Sequence, residues 1–204
     1  MNKNTPIMVL FVLSVIWSSS LFLAPMFVEK ETVHLSDSGK ANSVDYSEIW
    51  STMPLYPRII YYIGDFNCHQ MSSRSYFING NQMPVCSRDV GIFIGMSVGF
   101  LTVFFTDTSS GVCKAITSIF PKRVRDRILK RIKPRILAAI ITSVFLLPMI
   151  IDGFLQLTTS YESTNPVRTL TGFLFGWILA LFLGSFIASS IEEIHDFQAK
   201  IYKS

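Results

Sequence analysis

Residues 136–157 read ILAAIITSVFLLPMIIDGFLQL, twenty-two positions with one charge, Asp152. A helix needs about 20 apolar residues to cross a bilayer core, so this stretch is read as a membrane span. Lipid offers no partner to an unpaired backbone amide, which makes a helix the default there. Three further runs share its character. Residues 7–28 carry no charge and end at Glu29-Lys30-Glu31. Residues 90–106 are fewer but also uncharged, bounded by Asp89 and Asp107, and residues 170–191 are closed by Glu192-Glu193. The expected fold is an all-α integral membrane protein, a four-transmembrane-helix bundle spanning at about 7–28, 90–106, 136–157 and 170–191. Composition agrees: the 204 residues are 50% hydrophobic and 16% charged, with a mean hydropathy of +0.41. A soluble domain of this size cannot bury that much apolar surface, and disordered chains have the opposite composition. The first run is longer than the apolar core usual for a secretory signal, and Pro25 sits where cleavage after Ala24 would fall. An uncleaved anchor is expected.

Orientation comes from charge. Segment 107–135, just before the opening stretch, holds nine Lys and Arg residues against Asp107 and Asp126, a net +7. The whole chain is +4, so the remainder is −3. By the positive-inside rule this basic loop is cytoplasmic, as are both termini, while 29–89 and 158–169 face outward. Val124, Ile128, Leu129 and Ile132 recur at helical spacing among the bases. That amphipathic strip suits the surface of anionic lipid, and no nucleic-acid role is expected. Cys113 in this loop is expected to be a reduced thiol, with lipidation as the alternative.

Gly91, Gly95 and Gly99 recur every fourth residue on the second span, and Gly172 and Gly176 do so on the fourth. Small residues at this interval let membrane helices approach closely. In the outward segment, 29–45 is polar and reads as a flexible loop. The aromatics that follow, among them Trp50, Tyr56, Tyr61 and Phe66, suggest a structured half lying at the lipid headgroups.

The chemically dense part of that segment is Cys68-His69-Gln70, Arg74-Ser75 and Pro84-Val85-Cys86-Ser87-Arg88-Asp89. Three chemistries compete for it. A Cys68–Cys86 disulfide would close a loop of about 18 residues and contribute roughly 3 kcal/mol. A metal site could use Cys68, His69, Cys86 and Asp89, a set of thiolates, imidazole and carboxylate suited to zinc. Alternatively, one cysteine could be a reactive thiolate favoured by Arg74, Arg88 and His69. Asp152 lies below the outward end of its span, where an unpaired carboxylate costs several kcal/mol, so it is a functional candidate. Its bland alternative is an ion pair with an arginine. Gln156 is one turn above it, and Asn165 and Arg168 lie beyond the next loop.

These residues resemble a family of small prokaryotic polytopic membrane proteins of unknown function. Its signature reads Cys-His-Gln, Arg-Ser, Pro-x-Cys-x-Arg-Cys and Gly-Ile-Tyr-x-Gly, then Pro-x-x-x-Asp-Gly-x-x-Gln, Ser-Thr-Asn with an Arg, and Gly-x-x-x-Gly. Here the matching positions are Cys68-His69-Gln70, Arg74-Ser75, Pro84 to Arg88, Gly91 to Gly95, Pro148, Asp152-Gly153, Gln156, Ser163-Thr164-Asn165, Arg168, Gly172 and Gly176. Asp89 stands where the family commonly has a second cysteine, so a Cys-x-x-Cys redox pair is impossible here, whereas a zinc site survives the exchange. The resemblance implies a membrane architecture and a candidate site, with no established activity.

The combined expectation is an outward-facing zinc site held by Cys68, His69, Cys86 and Asp89. Asp152 and His69 are its candidate catalytic groups. Gln70, Arg74, Ser75, Arg88, Gln156, Asn165 and Arg168 are candidate contacts to a lipid-linked or headgroup substrate. The fitting reaction class is metal-assisted hydrolysis or transfer. A non-catalytic, disulfide- or metal-stapled protein that binds a lipid, ion or partner is the alternative, followed by a small transporter.

Overall fold

All four apolar runs fold as helices, and each helix starts or stops a few residues away from the apolar limits. The computed structural model describes residues 3–37, 40 and 42–201. In chain order the helices are α1 (Asn4–Leu23), α2 (Ser47–Ser51), α3 (Leu55–Asn67), α4 (Ser87–Val103), α5 (Val112–Thr117), α6 (Lys122–Leu129), α7 (Pro134–Thr158) and α8 (Asn165–Ile201). A two-stranded hairpin, β1 (Phe77–Ile78) and β2 (Asn81–Gln82), lies between α3 and α4. The protein is thus an all-α membrane protein with one small hairpin. Three helical segments are long and apolar enough to cross a membrane: Asn4–Phe27, Pro134–Thr158 and Asn165–Ala199. The fourth, α4, has 17 residues and reaches about 25 Å at 1.5 Å per residue.

The shifted ends have local causes. Cys86 is extended (φ −68°, ψ 162°) and precedes the first turn of α4, which contains Asp89. A carboxylate is favourable at that positive end of the helix, so helix begins three residues before the apolar run and takes in Arg88 and Asp89. Pro166 occupies the first turn of α8, where its missing N–H costs nothing. At its other end α8 continues through Glu192-Glu193. Its 37 residues measure about 55 Å, well beyond a bilayer core of about 30 Å.

α4 and α8 run parallel and form the centre of the bundle, with α1 against α4 and α7 against α8. Their seam is made by the repeated glycines. A Cβ on Gly91 or Gly95 would strike the Thr169 or Phe173 carbonyl, and one on Gly172 or Gly176 would strike that of Arg88 or Ile92. The two backbones therefore touch. Across the other seam Trp17 packs edge-on against Phe93, and the Ser18 and Ser97 hydroxyls hydrogen-bond at 3.2 Å. At one end of the bundle Glu192 joins Lys3 (2.5 Å) and the Thr108 hydroxyl (3.0 Å). The start of α1, the basic loop and the distal part of α8 thus share one end, and the described residues of 29–86 cap the other.

The cap differs from its expected form. Segment 29–45 is no flexible loop over its described residues: Val33 and Leu35 are buried; positions 38, 39 and 41 lie outside the described residues. The hairpin turn Asn79-Gly80 has φ of +55° and +73° at its two residues, the left-handed geometry that matches strand twist. It delivers two adjacent, fully buried amides. Asn81 accepts from the Thr32 and Val33 amides and donates to the Pro25 and Glu29 carbonyls. Gln82 accepts from the Leu35 amide and donates to the Gln70 carbonyl and the Ser75 hydroxyl. Trp50 and Tyr61, expected at the headgroups, instead stack on one another at 4.9 Å inside the cap and are fully buried. Their polar ends explain why this is tolerable: Trp50 donates to buried Asp65 (2.7 Å) and Tyr61 to the Gln82 carbonyl (2.6 Å). Tyr56 and Phe66 do face outward.

A Cys/Asp cluster in an arginine-lined cavity

The motif loop is assembled by one close approach. Gly64, in the last turn of α3, lies so near the Pro84 carbonyl that a Cβ would overlap it. That contact brings Cys68, just past the end of α3, against Cys86, just before α4. The Cys86 amide donates to the Cys68 sulfur at 3.2 Å, and the Cys86 thiol donates to Asp89 Oδ2 at 3.3 Å. The three ligand atoms of Cys68, Cys86 and Asp89 lie within 4.8 Å of one another. Ligands on one tetrahedral zinc at about 2.0–2.3 Å would lie only slightly closer together, so the set fits that ion with small adjustments. All three cysteines are free thiols. The hydrogen-bonding Cys86 sulfur, then burial and the charge of Asp89, push the Cys68 thiol well above the usual cysteine range. Binding of a metal would displace that proton.

The cluster forms part of the wall of a cavity of about 330 Å³. His69, Arg74, Arg88, Gln156 and Arg168 line it too, with Asn67 and Met149. Seven residues singled out from the sequence thus converge with Asp89 on one space, although they come from four parts of the chain. His69 is exposed in this wall and stands outside the tight group formed by Cys68, Cys86 and Asp89. Adjacent side chains diverge, which accounts for the separation.

Asp152 is 5% exposed and sits behind the arginines. Its Oδ2 pairs with Arg88 Nη2 (2.5 Å) and accepts from Gln156 Nε2 (2.8 Å) and the Ser163 hydroxyl (3.2 Å). Tyr161 reaches its other oxygen at 3.4 Å. Arg168, 3% exposed, donates to Gln156 Oε1 (2.8 Å) and the Ser163 hydroxyl (3.0 Å). Asp152 therefore holds two guanidinium groups in place, which corresponds to the ion-pair alternative for this residue. Arg74 meets Glu162 at 3.3 Å. Arg74 Nε and Arg88 Nε are buried and have no partner among the described residues.

Gln70, Ser75 and Asn165 stand elsewhere and make framework bonds, although Gln70 Oε1 is buried without a partner among the described residues. Gln70 is buried with φ +46° and donates to the Pro84 carbonyl. Ser75 donates to the Met71 carbonyl, and Asn165 links the Ser75 carbonyl to the Ser87 hydroxyl. These residues tie the motif loop to the start of α8. Sequence reasoning missed Asn67, Met71 and Met149 in the wall, Tyr161 on Asp152, and the Asn81-Gln82 pair, and it read Ser163 in the signature without giving it a role. The Asn81-Gln82 pair had a readable signal, because Asn-Gly between short apolar segments marks a tight hairpin.

Comparison with known proteins finds relatives and a family. A protein of Methanocaldococcus jannaschii described as uncharacterized is 29% identical over 164 residues, which cover 80% of this chain and 81% of that protein. An uncharacterized protein of Methanothermobacter thermautotrophicus is 29% identical over 105 residues, covering 52% of this chain and 73% of its own. No solved structure matches. The family model described as "Predicted membrane protein (DUF2085)" matches residues 68–182, from the first cysteine of the cluster to well past Arg168. A multi-pass membrane protein with its motif residues gathered at one end of the bundle, this chain belongs to the DUF2085 family of predicted membrane proteins.

Proposed function

We propose that the protein holds a zinc ion at the outer end of its bundle and uses it on an anionic substrate bound by the arginines. The observation that carries this reading is the convergence of Cys68, Cys86 and Asp89 within 4.8 Å in the wall of a cavity also lined by Arg74, Arg88 and Arg168. Three protein ligands leave a zinc ion with an open position, which is the arrangement of catalytic rather than structural sites. His69 lies in the same wall outside the ligand group, where it can carry protons and leave the fourth position open. Metal-assisted hydrolysis or group transfer on a lipid-linked or headgroup substrate is the reaction class that fits, because zinc acidifies a bound water and cations stabilise developing negative charge. Asp152 serves this site by positioning Arg88 and Arg168.

Metal analysis of the purified full-length protein tests the centre. Wild type is expected to carry about one zinc per chain, and Cys86→Ser or Asp89→Asn to lower affinity by at least about tenfold. Metal-free wild type from zinc-replete cells, or zinc retained by a Cys68→Ser/Cys86→Ser double variant, would overturn it.

In the proposed topology α4 is a fourth span, the basic loop and both termini are cytoplasmic, and the cap faces out. The +7 loop supports this, as does its position opposite the cap. α6 carries its bases on a short amphipathic helix that suits anionic lipid of the inner leaflet. With Cys68, Cys86 and Cys113 all replaced by serine, a cysteine replacing exposed Lys130 should react with an impermeant maleimide only after the membrane is opened. Labelling of intact cells would reverse the orientation.

A further inference from the structure

α3 has two different faces. Pro57, Ile60, Tyr61, Gly64 and Asp65 are buried, whereas Leu55, Ile59, Ile63 and Phe66 are 41–69% exposed. The exposed positions recur at helical spacing and form one apolar stripe. What covers it follows from continuity. Phe27, 61% exposed at the outer end of α1, packs edge-on against Tyr56 near the start of α3, with ring centres 5.4 Å apart. At its other end α3 runs into Cys68, which meets Cys86 at the outer end of α4. The helix therefore lies across the ends of the spans, and its stripe continues the lipid-facing surface of α1. An amphipathic helix so placed beds into the boundary between headgroups and acyl chains. Asn67 and His69, which follow the stripe, then stand at headgroup level.

The cavity descends from there. Met149 in its wall is nine residues before the end of α7, about 13 Å down the helix at 1.5 Å per residue. Ile150 and Phe154, between that level and the outer end of the helix, are 56% and 61% exposed. At this depth α7 packs on α8 and meets α4 through the Arg88–Asp152 pair. The volume of about 330 Å³ is at the small end of ligand sites. It has room for a headgroup and none for acyl chains. Arg74, Arg88 and Arg168 in its wall call for acceptor oxygens. A phosphate offers these in the geometry that arginine binds best.

We infer that the cavity takes the phosphate of a bilayer lipid, admitted sideways between α4 and α7 while its acyl chains remain in the outer leaflet. The inference rests on the site proposed above and names its substrate class. Native mass spectrometry of the full-length protein with dioleoyl phosphatidic acid tests it, with dioleoylglycerol and glycerol 3-phosphate as the phosphate-free and tail-free controls. One phosphatidic acid should be retained, with both controls at least about tenfold weaker, roughly the effect of one charge-assisted contact. Arg74→Gln should weaken retention about tenfold by removing a half-exposed donor. Met149→Trp should do the same by filling the wall, with its melting temperature confirming that it folds. Equal binding of glycerol 3-phosphate, or unchanged retention in both variants as for lipid held at the basic loop, would overturn the inference. Zinc is measured on the same samples. Zinc without lipid retention rejects this inference alone, and lipid retention by zinc-free protein rejects the metal centre alone.

Discussion

A leucine at Gly176 is expected to leave almost no folded protein. The cause is the α4–α8 seam, where a Cβ at this position would overlap the Ile92 carbonyl oxygen and crowd its carbon and Cα. None of these atoms can rotate away, so the helices would have to separate along their length. Overpacking in a core costs about 1–3 kcal/mol when side chains can yield, and here only backbone is available. Helices in lipid also lack a hydrophobic drive to reassociate, so lost contact is not recovered elsewhere. Gly184 supplies the comparison. A Cβ there would meet Val103 Cγ2 at 2.7 Å, the end of a side chain, and Gly184→Ala should cost far less than Gly176→Ala. Fluorescence-detected size exclusion and thermal melting in detergent read both. A Gly176→Leu protein melting within a few degrees of wild type would mean that the seam is not as described. The same variant should lose the zinc proposed above, because the cap rests on both helices through the Ser87–Asn165 and Asn165–Ser75 bonds.

Asp152→Ala should have the second largest effect, about 3–5 kcal/mol, the usual cost of removing one member of a buried ion pair. Its carboxylate is the sole acid among the described residues in contact with Arg88, and its neighbours Gln156 and Ser163 hold Arg168. Alanine would leave one guanidinium without its counter-charge and the other without its supports. Asp152→Asn keeps the shape and should lie between alanine and wild type. The double variant Asp152→Leu/Arg88→Met should recover part of the loss, since the Arg88 charge goes with its partner while buried Arg168 still lacks its supports. Melting curves of the three proteins decide this. If the double variant were no more stable than Asp152→Ala, the pair would not be the origin of the cost.

The bundle was legible because its signals are local. Apolar length marks the spans, a block of bases marks one end, and four-residue glycine spacing marks a seam that the structure places backbone against backbone. The convergence of Cys68, Cys86, Asp89 and the arginines was legible only as chemistry. Residue types suggested a site, but no periodicity reports that Met149 and Asn67 share a wall. His69 shows the limit of reading by type, since it adjoins Cys68 in sequence yet projects away from the tight cluster. The cap was misread where burial reverses a preference. Trp50 and Tyr61 favour headgroups in general, but a buried carboxylate at Asp65 and a carbonyl at Gln82 satisfy their polar ends inside. Polar residues 29–45 suggested mobility for a similar reason: the amides that order them come from Asn81 and Gln82, nearly fifty positions later.

Those two amides also set a rule for the length of the chain. Successive side chains on a strand point to opposite sides, so Asn81 reaches the exit of the first helix while Gln82 reaches the loop that carries the cysteines. The short turn at Asn79-Gly80 fixes which amide goes which way. One inserted or deleted residue in that turn would hand each amide to the other's partners, and they differ in reach and in donor pattern. Through relatives of this chain the hairpin can therefore change composition far more freely than it can change length.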